Sequence, residues 1–208
     1  LQDSVRLLND VDLEEYCAGF RQLEQAEQKR IERQQLLLQG FQRKIALIES
    51  LETELNQITL GMRPALWRMD HQIEDQFRAQ KAAVTARANW TDWMPAADLS
   101  FLFSAVDPEH ALHWGFAMEA PLAEALELDK QDSVYYPAVP CVRMVFCTHN
   151  EVLLRYENLQ PALSYLEKHA FALAGDILGR SIARVMGKEN TIIHYYDVWL
   201  PIKDREIL

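Results

Sequence analysis

The sequence predicts an α+β fold in which a long dimerisation helix is followed by a duplicated βαββ domain. Two observations carry this prediction. Between residues 20 and 60, large apolar residues return at alternating intervals of three and four, which is typical of a coiled-coil seam. After residue 63, a series of strand-like and helix-like segments occurs twice in the same order, which indicates an internal repeat.

The seam predicts one helix of about 40 residues, roughly 60 Å long, because no proline occurs in it before Pro64. With Ile31 at heptad position a, the following residues fall at a or d: Leu38, Phe41, Ile45, Ile48 and Leu55. A helix of this length needs a partner for its stripe, and a second copy of the chain is the simplest one. We therefore expect a homodimer through residues 20–60. The alternative is an ordinary amphipathic helix that packs on its own domain.

Asp12 is expected to cap the start of this helix at Leu13, since an aspartate before a helical pattern is a common N-cap. Gly61 and Pro64 are expected to end it, because glycine tolerates the left-handed cap conformation and the residue before proline avoids helical geometry.

Composition favours a cytoplasmic protein. The chain has 208 residues, of which 49% are hydrophobic, and no apolar run approaches the ~20 residues that span a bilayer. It begins with Leu1 rather than methionine, so we expect part of a longer protein. The N-terminus shows no secretory signal, which favours the cytoplasm. Three cysteines without a framework pattern favour a reducing compartment and free thiols.

The net charge of −10 argues against nucleic-acid binding by this chain alone. Residues 1–60 carry seven Lys/Arg against eleven Asp/Glu, and the remainder carries fourteen against twenty. Contacts to phosphates require clustered cations, which neither part offers.

Each predicted repeat has the order strand, helix, strand, strand. In the first repeat these are Pro64–Asp70, His71 to about Ala88, Leu99–Ala105 and Leu112–Glu119. In the second they are Val139–Thr148, Leu159 to about Ala174, Ser181–Met186 and Ile192–Ile202. The duplication predicts two sheets, each backed by one helix. Trp90 and Trp93, in the connection after the first helix, are expected either to cover a groove or to anchor that loop.

Two resemblances connect these elements to a known family. The run from Leu1 to Tyr16 resembles the end of the DNA-binding domain of MerR-family regulators, in which a short helix precedes an antiparallel dimerisation helix. Residues 63 to about 204 resemble the GyrI-like (SHS2-type) effector-binding domain. The motifs that carry this are Tyr136–Cys141, Gly179–Ala183 and Asp197–Ile202, the last of which has the acidic-apolar-aromatic-apolar-Pro-apolar pattern of the family's final strand.

The GyrI-like resemblance implies a ligand-sensing module with a pocket in the groove between two halves. In members that bind cationic drugs, a glutamate faces this pocket, and here Ser181 takes its place. Asp197 on the last strand either replaces that acid or is a partly exposed acid near a strand end. With at most one acid in the pocket, we expect neutral, flat, apolar ligands to bind better than cations.

The predicted ligand-binding residues combine this serine and aspartate with aromatic positions, which suit a pocket wall as well as a packed core. They are Trp114, Phe116, Tyr136, Phe146, Ser181, Asp197 and Trp199.

The sequence carries no motif that indicates catalysis. The six histidines form no metal-binding pair, and there is no phosphate-binding glycine loop, nucleophile elbow or thiol with an obvious base. We therefore expect neither catalytic residues nor a metal or cofactor.

Together these patterns predict the effector-sensing and dimerisation part of a MerR-type transcriptional regulator. Residues 1–62 would be the end of the DNA-binding domain and the coiled-coil helix, and residues 63–208 the effector-binding domain. Promoter DNA and RNA polymerase would be partners only of the full-length protein, through an N-terminal domain missing from this chain, and no membrane is involved. The alternative is a free-standing GyrI-like protein that binds or hydrolyses small molecules. A winged helix-turn-helix encoded upstream of Leu1 would distinguish the two.

Overall fold

The structure is a computed structural model that describes residues 12–74, 76–77, 90–107, 109, 111–149 and 154–203. Most of the run that resembles a MerR DNA-binding domain, residues 1–11, lies outside the described residues, as does most of the predicted helix His71–Ala88. The start of that predicted helix was wrong, because residues 71–73 and 76–77 lie in strands. The helices described are α1 (Leu13–Glu49), α2 (Leu51–Glu54), α3 (Ala120–Ala125) and α4 (Gln160–Lys168).

Helix α1 begins as predicted and ends earlier than predicted. The Asp12 side chain accepts a hydrogen bond from the backbone N–H of Glu15 at 2.9 Å, which makes it the N-cap. The prediction of a helix to residue 60 was wrong, because strand β1 (Ile58–Arg63) follows α2. Ile58 and Thr59 are β-branched, and pairing of this segment with a neighbouring strand outweighs continuation of the helix.

All described strands belong to a single antiparallel sheet. Its other strands are β2 (Leu66–Ile73), β3 (Gln76–Phe77), β4 (Asp98–Phe103), β5 (Leu112–Glu119), β6 (Val134–Tyr136), β7 (Val139–His149), β8 (Ile177–Met186) and β9 (Ile192–Pro201). The strand order is β1-β7-β9-β8-β4-β5-β2-β3, and β6 pairs with the edge of β2.

The sheet order confirms the duplication. Strands β2, β4 and β5 are arranged in the same relative order as β7, β8 and β9, with the third strand of each repeat between the first and second. The expectation of two sheets was wrong, because β4 pairs with β8 and joins both repeats into one sheet. Helix α4 ends at Lys168, before the predicted end near Ala174, and Ala170 has a left-handed φ of 54°.

The two faces of this sheet have different side chains. One, here called the aromatic face, carries alternate residues such as Phe101, Phe103, Trp114, Phe146 and Tyr196, and α4 packs on its second half. The other, here called the charged face, carries the residues between them. These include Arg68, Asp98, Arg143, Arg180 and Asp197. Both faces follow from the alternation of side chains along a strand.

The middle of α1 packs against its own domain. Leu36 and Leu37 contact the core of the first repeat, and Gly40 lies so close to Ala96 that an added Cβ would be 3.0 Å from the Ala96 Cα. Trp90 is buried in that core, and the guanidinium of Arg33 lies 3.9 Å from the Trp93 ring centroid. These two tryptophans therefore belong to the contact with α1 rather than to a cover over the groove.

The opposite side of α1 is exposed. Each residue turns a helix by about 100°, so Leu38 lies on the far side of the helix from Leu36 and Gly40. The stripe residues Ile31, Leu38, Phe41, Ile45 and Ile48 are between 41% and 56% exposed. The alternative interpretation is thus correct for one side of α1, while the heptad stripe still lacks cover within the described chain. None of the described helices is long and apolar enough to cross a membrane.

Candidate ligand-binding groove

A groove of about 420 Å³ lies on the aromatic face, at one end of the sheet and between the two repeats. Its apolar lining comes from Phe103, Leu112, Trp114, Leu154 and Tyr156. The first three belong to strands of the first repeat, and the last two precede α4 in the second repeat. Volumes of this size are typical of small-molecule sites. Half of the described lining residues are aromatic or aliphatic, and the other half are polar or charged.

The walls of this groove belong to a network of aromatic rings. The ring centroid of Phe103 lies 5.6 Å from that of Tyr156, and Phe101 lies 6.1 Å from Phe103 and 6.0 Å from Trp114. Tyr196 lies 5.6 Å from Phe101 and 6.5 Å from Trp114. These distances suit edge-to-face packing, which holds each ring in place. The groove therefore has walls of mutually packed aromatic rings.

Charged side chains surround the mouth of the groove. These residues are all exposed: Glu74, Glu109, Arg155 and Glu157. Glu74 also has a structural role, because its Oε1 accepts a hydrogen bond from the backbone N–H of Leu112 at 2.5 Å. Among the residues that the structure describes, three carboxylates and one guanidinium give the mouth a negative balance.

Four of the seven predicted ligand-binding residues lie on the aromatic face. Trp114 lines the groove itself. Phe116 is buried in the core of the first repeat, where it stacks on His71 with centroids 5.0 Å apart. Phe146 is buried against Tyr196, at 5.3 Å. Ser181 pairs with Tyr196 across the strands, so the two side chains share this face.

Asp197 lies on the charged face and is fully buried. Its carboxylate accepts hydrogen bonds from Arg143 Nε at 2.7 Å and from Arg180 Nη2 at 3.0 Å. Burial works against the charge on Arg143, but the hydrogen bonds and charges of Asp197 and Glu54 more than offset this and raise the pKa of Arg143. Neither alternative from the sequence describes Asp197, because it is an internal ion-pair partner on the opposite side of the sheet from Ser181.

The two remaining predicted residues also lie on the charged side. Trp199 is buried, and the Arg180 guanidinium lies 5.0 Å from its ring centroid. Tyr136 packs against Leu66, and burial raises the pKa of its phenol. The seven residues therefore do not surround one pocket. The sheet separates Tyr136, Asp197 and Trp199 from the groove.

Several groove residues were not predicted from the sequence, and only Phe103 carried a signal that could have found it. Phe103 alternates with Phe101 in a predicted strand, which places both on one face. Tyr156 and Leu154 occur just before a predicted helix, where contacts across the repeat cannot be read from local pattern. The rim glutamates were missed because they lie in turns and strand ends distant along the chain.

A second cavity of about 380 Å³ lies between α1 and α3. Its lining is largely apolar and includes Leu36, Gly40 and Leu122, together with the ion pair of Arg43 and Glu119, whose N and O atoms are 3.0 Å apart. Among the residues that the structure describes, no group of three or more His, Cys, Asp or Glu could hold a metal ion.

Comparison with known proteins gives structural likeness only. No family model and no curated protein matches the sequence. The C-terminal domain of EcmrR is 13% identical, with a TM-score of 0.45 over 71% of this chain and 97% of that one. EcmrR in an EcmrR–DNA complex is also 13% identical, with a TM-score of 0.43 over 98% of this chain and 77% of that one. A hydrolase from Listeria innocua is 11% identical, with a TM-score of 0.44 over 74% of this chain and 96% of that one. Likeness at this level says nothing about ligand or partner.

Proposed function

We propose that this chain is the effector-sensing and dimerisation part of a MerR-type transcriptional regulator, and that it binds a small, flat, hydrophobic molecule. The observation that carries the proposal is the aromatic groove between the two repeats. Trp114 and Tyr156 line it and offer flat apolar surfaces. Ligand binding there would be relayed through α1 to a DNA-binding domain that precedes this chain, and through it to promoter DNA and RNA polymerase.

A neutral ligand fits the charges of the groove best. The one acid that the sequence offered as a counter-charge, Asp197, is on the other face and is already paired. The glutamates at the mouth are exposed, where attraction to a ligand cation is weakened by water and salt. A cation deep in the groove would lose hydration without a buried partner, and an anion would meet the negative mouth.

A series of ligands with one ring system tests the ligand class. We would measure binding of neutral 1-pyrenemethanol, cationic (1-pyrenylmethyl)trimethylammonium and anionic 1-pyrenesulfonate by calorimetry at low and physiological salt. The neutral compound should bind tightest and the anion weakest, and the penalty for the anion should shrink as salt screens the mouth. A cation that binds tighter than the neutral compound at physiological salt would contradict the proposed ligand class.

Two variants locate the binding site. Trp114→Ala removes a groove wall and should weaken binding of 1-pyrenemethanol at least tenfold, because aromatic contacts dominate small binding surfaces. Tyr135→Ala removes an exposed aromatic outside the groove and should leave the affinity unchanged. Equal affinities for wild type and Trp114→Ala, with both proteins folded by circular dichroism, would place the ligand elsewhere.

The exposed stripe on α1 supports a homodimer through the part of residues 20–60 that is helical, which ends at Glu49. Its five large apolar residues form a line, interrupted at Gln34, on the side of α1 that faces away from the sheet. Water contact along such a line is costly, and an antiparallel copy of the same helix would cover it by symmetry. The long helix would then lie between its own sheet on one side and the partner's helix on the other.

Sedimentation of charged variants tests this assembly. Ile45→Asp with Ile48→Asp puts two carboxylates into the seam and should convert the dimer to a monomer. Ala26→Asp with Ala46→Asp adds the same charges on exposed positions outside the stripe and should leave the dimer intact. A dimer that survives the first pair, or dissociates equally with the second, would refute the stripe as the interface.

A further inference from the structure

Strand β8 contains a bulge that faces α1. The register of β8 against β9 shifts between Ser181 and Ala183, so Ile182 has no partner in the pairing. At this bulge the backbone carbonyl of Ser181 accepts a hydrogen bond from Lys44 Nζ of α1, at 2.7 Å. A side chain of the long helix thus holds an irregular point of the central sheet.

Lys44 also connects this point to the neighbouring strand. Its Nζ donates to Asp98 Oδ1 on β4 at 3.2 Å, and the next residue, Arg43, contacts Asp98 Oδ2 and the backbone carbonyl of Ala96. The Lys44 side chain is 24% exposed, so water competes only partly for its donors. Together these contacts attach α1 where the two repeats join.

The other side of the bulge faces the aromatic network. Ser181 is paired with Tyr196, whose ring packs near Trp114 and Phe101. Trp114 in turn lines the groove. One pair of residues across β8 and β9 therefore separates a groove wall from the lysine that anchors the long helix.

We propose that Lys44 couples occupancy of the groove to the attachment of α1, through the bulge at Ser181. A ligand stacked on Trp114 restrains the Tyr196 ring, and this stabilises the bulge conformation in which the Ser181 carbonyl points at Lys44. Ligand binding therefore tightens the contact between α1 and the sheet, and by thermodynamic linkage an intact contact strengthens ligand binding by the same factor. The inference rests on the proposed function and adds its regulation.

The test compares Lys44→Met with wild type and with a matched control. Methionine keeps most of the apolar stem of Lys44 and removes its charge and donors, while Asp98 retains Arg43 and Arg180 as partners. Lys29→Met makes the same change at an exposed position of α1. Binding of 1-pyrenemethanol is measured by calorimetry, and amide hydrogen exchange of residues 33–44 is measured with and without saturating 1-pyrenemethanol.

In wild type and in Lys29→Met, bound 1-pyrenemethanol should slow exchange of residues 33–44 about fivefold, a typical size for such coupling. In Lys44→Met the slowing should disappear, and the affinity should fall by the same factor. Binding by wild type without any slowing, or equal slowing in Lys44→Met, would overturn the coupling and leave the proposed function intact. Failure of wild type to bind any compound of the pyrene series would instead overturn the proposed function, and the coupling with it.

A readout without ligand gives an independent check. With fluorotyrosine incorporated and the Tyr196 signal assigned through Tyr196→Phe, Lys44→Met should shift the fluorine resonance of Tyr196, and Lys29→Met should not. An unchanged Tyr196 signal in Lys44→Met would show that the bulge does not connect the two faces.

Discussion

The aromatic face and the charged face belong to the same strands but are stabilised in different ways. The aromatic face excludes water by ring packing and leaves a groove of about 420 Å³. The charged face buries its ions in pairs, and the crevice beside Asp98, Arg180 and Trp199 has a volume of only about 10 Å³. The ligand-binding groove and the attachment of α1 can therefore lie on opposite faces of one sheet, separated by a single layer of backbone.

The largest loss of stability should come from removing the buried carboxylate at the centre of the charged face. Asp197→Ala leaves Arg143 and Arg180 without their shared carboxylate, which should lower the free energy of unfolding by about 3–5 kcal/mol. Glu54→Ala removes another partner of Arg143, but Glu54 is 37% exposed, and the loss should be below about 1 kcal/mol. Urea unfolding of both variants checks this, and equal losses would show that burial does not set the strength of these pairs.

A smaller loss of stability should follow when a methyl group is added on the aromatic face. A Cβ at Gly179 would lie 2.1 Å from Cζ of Phe101, so Gly179→Ala forces the ring to move and should cost about 1–3 kcal/mol. Gly61→Ala is the matched control, since nothing lies within 4 Å of a Cβ there, and it should be neutral or slightly stabilising. Thermal unfolding compares the two, and an unchanged Gly179→Ala would mean that Phe101 is loosely held.

A substitution on the aromatic face should change the ligand preference without a large loss of stability. Ser181→Glu places a carboxylate on the aromatic face beside Tyr196, half-buried at this position. It should raise affinity for the cationic pyrene relative to the neutral one severalfold, because a partly desolvated counter-charge now faces the ligand. Calorimetry with both compounds decides, and an unaltered preference would place Ser181 outside the site.

The smallest effect concerns a thiol on the charged face. Burial raises the pKa of Cys141 to about 11, so its reactive thiolate is scarce at pH 8. Exposed Cys17 should react with iodoacetamide at pH 8 while Cys141 stays unmodified in the native protein, as peptide mass spectrometry would show. Rapid modification of Cys141 at pH 8 would contradict its burial.

The folded-state pKa of Cys141 lies above the unfolded value, so this thiol contributes stability that is lost as pH rises from about 9 to 11.

Elements that depend on local pattern could be predicted from the sequence. The heptad stripe predicted α1, Asp12 its start, and the strand–helix–strand–strand order the duplication, because periodicity and capping are properties of neighbouring residues. Strand β5 was predicted with the bounds that the structure has. The same reasoning placed Trp114 on a candidate pocket wall, and the structure puts it in the groove.

Which sheet face forms the groove, and which distant residues pair, became known only from the folded chain. Alternation along a strand assigns Asp197 and Trp199 to one face and Tyr196 to the other. It does not tell on which of these faces the groove lies. That depended on pairing between β4 and β8, which joins segments more than 70 residues apart. The contacts of Lys44 with Ser181 and of Arg143 with Asp197 also join distant segments, at 137 and 54 residues of separation. Such contacts arise from burial and charge in the folded chain, and no local pattern encodes them.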